Sequence, residues 1–128
     1  MPNYQLTAPP EAMAGVTRSE ARQLLAEDRY EELIQRIQQK FKSLQASADF
    51  AVLEGTSFQG LAPELEFELN ADIAINLGCA IMAVYSAANK TVEELVQSIL
   101  IGNDNLTDHG AQIIATVVNQ VPWDQEPK

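Results

Sequence analysis

The apolar residues Tyr30, Leu33, Ile34, Ile37, Phe41 and Leu44 fall on one stripe at helical period, opposite a polar face of Glu31, Gln35, Gln38, Gln39 and Lys42. This spacing predicts a surface helix packed on something flat. Its start is marked by Asp28 and Glu31, spaced as a capping box, in which the N-cap side chain and the N3 carboxylate satisfy each other's backbone donors. Thr17 and Glu20 repeat that spacing and predict a shorter helix to about Ala26. Thr91 and Glu94 form a third box. The helix they open places Val92, Leu95, Val96, Ile99 and Leu100 inward and is expected to fray or turn over 102–110, where Gly102, Asn103, Asp104 and Gly110 gather. Asn70 is placed to cap a short helix through Leu77, with Gly78 at the left-handed position just past its end.

Between these segments the apolar pattern is continuous rather than periodic. Asp49 to Gly55, Cys79 to Ser86 and Gln112 to Val118 are short apolar runs of the kind that form parallel strands buried on both faces. Residues 56–64, with Gly60 and Pro63, read as a loop. The order is helix, helix, strand, helix, strand, helix, strand. Strands alternating with helices imply right-handed crossovers and a parallel sheet. The expected architecture is therefore α/β. An extended arm over 1–16, containing Pro2, Pro9, Pro10 and Gly15, precedes a domain over 17–122, and a loose polar tail occupies 123–128.

Composition narrows the function classes. A chain of 128 residues that is 46% hydrophobic is one domain with a real core. Its 18 acids against 8 bases give a net charge of −10. That balance argues against a nucleic-acid partner, whose affinity rests on Lys and Arg displacing counterions. It also argues against an anionic membrane surface. The longest apolar stretch, near Cys79 to Ala88, is too short to span a bilayer. Cys79 is the sole cysteine, so no internal disulfide and no multi-thiolate metal site can form. The first residues show neither a basic nor an apolar targeting segment, and the expected compartment is the cytoplasm.

Ligands of open α/β sheets bind beyond the carboxyl ends of the strands. Here those ends are Glu54-Gly55, Ser86 to Lys90, and Asn119-Gln120. An acid directly after a buried strand either coordinates magnesium and orients a phosphate-bearing substrate or caps the loop behind it, and Glu54 fits both roles. Gly55 and Gly60 have the separation of a phosphate-binding loop, but Leu61 and Ala62 stand where Lys and Ser/Thr are required. Lys90-Thr91 reads as helix capping. His109, the one histidine, lies in a polar stretch without a nucleophile in pattern with it. Cys79 has no evident cationic neighbour to activate its thiol. Glu64, Glu66, Glu68 and Asp72 read as a solvated acidic loop. No catalytic dyad or triad emerges, and the chain is expected to be catalytically silent by itself.

The run Leu65-Glu66-Phe67-Glu68-Leu69-Asn70-Ala71-Asp72-Ile73-Ala74, followed by Asn76-Leu77-Gly78-Cys79, resembles the N-terminal domain of long-form bacterial phosphate acetyltransferase. Val52-Leu53-Glu54-Gly55-Thr56, Lys90-Thr91-Val92-Glu93-Glu94 and Val117-Val118-Asn119-Gln120-Val121 stand in the order of that family, so the resemblance covers roughly residues 20 to 122. It implies a parallel, three-layer, P-loop-NTPase-like fold of the dethiobiotin synthetase-like group. The first strand and the phosphate-binding loop of that fold would lie upstream of everything seen here. Acetyl transfer between coenzyme A and phosphate is placed in a separate C-terminal domain, which implies that this chain is a fragment of the regulatory and assembly domain. The resemblance maps a magnesium- and substrate-proximal role to Glu54 with Gly55, and a nucleobase-reading role to Asn119. No resident cofactor is expected, only a weakly bound nucleotide effector. The implied partners are the remainder of the parent polypeptide or a second copy, and a small-metabolite effector. The alternatives are half of an ATP- and magnesium-dependent dethiobiotin synthetase-like ligase, or an interaction module without a ligand.

Overall fold

The structure, a computed structural model, describes residues 15–55 and 62–122. The chain divides into two compact units, one up to Leu77 and one from Gly78. Residues 1–14 of the expected 1–16 arm, the Gly55–Gly60 loop beyond Gly55 and the tail from Trp123 fall outside the described residues.

The first unit contains three helices, α1 (Arg18–Ala26), α2 (Tyr30–Gln45) and α3 (Pro63–Leu77). The Thr17 box opens α1 as expected. Thr17 Oγ1 accepts from the Glu20 amide at 3.2 Å, and the Glu20 carboxylate accepts from the Thr17 amide at 3.0 Å and its hydroxyl at 2.7 Å. Those Thr17 bonds hold the Glu20 carboxyl below its ordinary pKa.

The Asp28 box does not form. Asp28 has φ 55, its amide donates to the Leu25 carbonyl, and the Arg29 amide donates to the Leu24 carbonyl at 2.8 Å. These are the paired bonds of a Schellman motif closing α1, so Asp28 is spent as a left-handed C′ residue and cannot take the extended N-cap conformation. Arg29 becomes the N-cap of α2, without a side-chain cap bond. Its guanidinium instead binds Glu27 at 2.7 Å and Glu32 at 2.5 Å.

The predicted α2 stripe is correct, but its partners are helices rather than a flat sheet. Leu33 and Ile34 are buried with Ala21 and Leu24 of α1 and Leu69 of α3, and Tyr30, Ile37 and Ile73 border this core. The α3 helix is longer than expected. It starts at Pro63, where a missing amide costs nothing, and Glu64 and Glu66 favour its positive end. Asn70 is therefore inside the helix, its Nδ2 donating to the Glu66 carbonyl at 2.9 Å. Gly78, with φ 67, takes the left-handed position foreseen for it.

The second unit is a β-α-β arrangement of β1 (Ile81–Ser86), α4 (Val92–Asp108) and β2 (Ile113–Asn119). The strands pair in parallel, with Val84 beside Val117, Tyr85 beside Val118 and Ser86 beside Asn119. Thr91 and Glu94 cap α4 as expected, the Thr91 amide donating to Glu94 Oε2 at 2.8 Å. The helix does not turn at Gly102 but continues to Asp108 and closes on Gly110, with φ 90. Leu95 and Ile99 are half-buried, whereas Val92, Val96 and Leu100, expected inward, are exposed. A two-stranded sheet offers one helix only a narrow contact.

Two expectations about the sheet are overturned. Among the described residues it has two strands, not the three expected from the apolar runs. Residues 50–55 form neither helix nor strand, and Phe50 and Val52 are 84% and 85% exposed. An apolar run becomes a buried strand only when a neighbour takes its backbone bonds, and no described residue does so for 50–55.

Candidate functional site

The carboxyl end of the two-stranded sheet carries a connected polar cluster. Ser86 Oγ donates to Gln120 Oε1 at 2.6 Å and accepts from the Ala88 amide at 3.2 Å. The Asn119 carbonyl accepts from the Ala87 amide at 2.8 Å, and Asn119 Oδ1 accepts from the Gln120 amide at 2.9 Å. Left-handed backbone at Asn89 (φ 57) and Gln120 (φ 58) turns both chains away from the strand ends. Ser86, Asn119 and Gln120 are exposed.

This geometry limits what can bind. With Asn119 Oδ1 accepting from the Gln120 amide, Nδ2 is the donor it can turn toward an acceptor. The start of α4 is a poor phosphate cradle. Its capping box already uses the Thr91 and Glu94 amides, and Glu93 and Glu94 place negative charge where an anion would sit.

Glu54 and Gly55 belong to the first unit and are exposed. Gly55 lies against Asn70; a Cβ there would come within 3.4 Å of Asn70 Oδ1. Among the described residues no three His, Cys, Asp or Glu side chains cluster as a metal site.

The remaining candidates are placed as follows. His109 is exposed, with Nδ1 2.8 Å from the Asn105 carbonyl. Cys79 is half-buried ahead of β1. The four acids expected in a loop lie along α3, and Asp72 Oδ2 accepts from the Tyr30 hydroxyl at 2.5 Å. Burial, followed by that bond to Asp72, pushes the Tyr30 hydroxyl well above its ordinary pKa. An open groove of about 360 Å³ is lined by Val16, Lys40, Arg36, which is engaged by Glu32, and Glu20, which is engaged by Thr17.

Sequence reasoning missed one network. The Tyr85 hydroxyl donates to Asn103 Oδ1 at 2.8 Å, and Asn103 Nδ2 donates to Thr116 Oγ1 at 3.1 Å, linking β1, α4 and β2. Its signal was a tyrosine inside an apolar run and a Gly102-Asn103 pair inside a helical one.

Among the described residues no helix is long and apolar enough to cross a membrane. No protein-family model and no solved structure matches the chain. Over 101 residues, 79% of the chain, it is 39% identical to the phosphate acetyltransferase of Nitratidesulfovibrio vulgaris. Over 107 residues, 84% of the chain, it is 27% identical to the phosphate acetyltransferase of a Synechocystis species. The matched segment spans only 14% and 15% of those two proteins. Over most of its length, then, the chain is similar to one short part of bacterial phosphate acetyltransferases.

Proposed function

We propose that this chain is a regulatory and assembly portion of a phosphate acetyltransferase, from its N-terminal domain, and is not catalytic by itself. The parent reaction converts acetyl-CoA and phosphate to acetyl phosphate and CoA. The observation that carries the proposal is the 39% identity over 101 residues to an enzyme of that name. The side chains support a non-catalytic role. The exposed His109 ring nitrogen sits on a backbone carbonyl, and the sheet-end groups Ser86, Asn119 and Gln120 bond to one another. In this reading the chain acts in the cytoplasm with the remainder of the parent polypeptide or a second copy. A small metabolite, weakly bound at Asn119 or Glu54, serves as effector.

The test is deletion of the matching segment from the Nitratidesulfovibrio enzyme. Acetyl phosphate formation is expected to persist while the response to nucleotide effectors changes. Loss of the chemistry from an otherwise folded and assembled enzyme would overturn the proposal. ATP hydrolysis by the purified chain would favour the ligase reading instead.

A further inference from the structure

We draw no further inference here: the strongest candidate, the open groove beside α1 and α2 lined by Arg36, Gln39, Lys40 and Ser43, carries nothing, because the Glu20 carboxylate also lines it, its wall at Gly15 continues into residues outside those described, and nothing in the structure shows what occupies it.

Discussion

Tyr85 and Gly102 are mutually dependent. The tyrosine ring lies over the glycine, and a Cβ built on Gly102 would come within 3.0 Å of ring atoms Cε1 and Cζ, and closer still to the hydroxyl. That hydroxyl is fixed by its 2.8 Å bond to Asn103 Oδ1. A glycine inside a helix ordinarily costs about 1 kcal/mol relative to alanine, and here it makes room for the strand-to-helix bond.

Gly102→Ala is therefore expected to destabilise the chain by about 1–2 kcal/mol, despite the gain in helix propensity, because overpacking outweighs it. Tyr85→Phe alone should cost about 1 kcal/mol for the lost hydrogen bond. The double variant should be more stable than the sum of the two losses, since removing the hydroxyl relieves the tightest contact. Urea unfolding of all four proteins gives the coupling. Additivity would show that the ring and the helix do not meet in this way.

The Schellman closure of α1 makes its own prediction. With Asp28 at φ 55, Asp28→Gly should stabilise the chain by about 0.5–1 kcal/mol, as glycine holds that conformation without strain. Asp28→Val should destabilise it. If Asp28 instead capped α2, glycine would be slightly unfavourable there. Thermal unfolding of the two variants separates these cases.

The contrast between Thr17 and Asp28 shows how far the sequence could be read. Both precede a Glu at the same spacing. Only Thr17 caps, because Asp28 lies two residues beyond α1 and is claimed by the end of that helix. Local rules succeeded where one element made a claim and failed where two competed. The start of α3 is hidden because four acids and Pro63 resemble a loop in composition, while its inward residues Leu69, Ala71 and Ile73 are few. The strand expected at 49–55 failed for a nonlocal reason, as an apolar run does not reveal whether an edge exists to receive it. The strand-end placement of Asn119 was legible from the run before it. The bond of its Oδ1 to the Gln120 amide was not, since it depends on the backbone and side-chain torsions that Asn119 adopts at the strand end.

The Tyr30–Asp72 bond predicts a response to alkali. A tyrosine whose folded pKa is raised binds its proton more tightly when native than when unfolded. Its contribution is complete below the unfolded value of about 10 and is lost as pH rises above it. Stability should therefore fall from about pH 10 upward, and Tyr30→Phe should fall less steeply while starting lower for the lost hydrogen bond. Denaturant midpoints at neutral pH and above pH 10 decide it. Parallel declines in the two proteins would show that Tyr30 does not titrate with folding.

The sheet end sets an upper limit on nucleotide affinity. In the proposed reading Asn119 would offer Nδ2 to a ligand, but the start of α4 presents Glu93 and Glu94 where phosphates would need free amides and positive charge. A few hydrogen bonds without a phosphate cradle correspond to about 4 kcal/mol, so ATP and NADH are expected to bind no more tightly than roughly the millimolar range. Replacing both acids, Glu93→Gln with Glu94→Gln, should tighten ATP binding severalfold by removing repulsion. It should also cost some stability, because Glu94 accepts the Thr91 amide. Asn119→Ala should weaken whatever binding is present. Calorimetric titration of the three proteins reads each effect. Submicromolar binding, or affinity indifferent to both Asn119 and the acids, would place the nucleotide elsewhere on the chain.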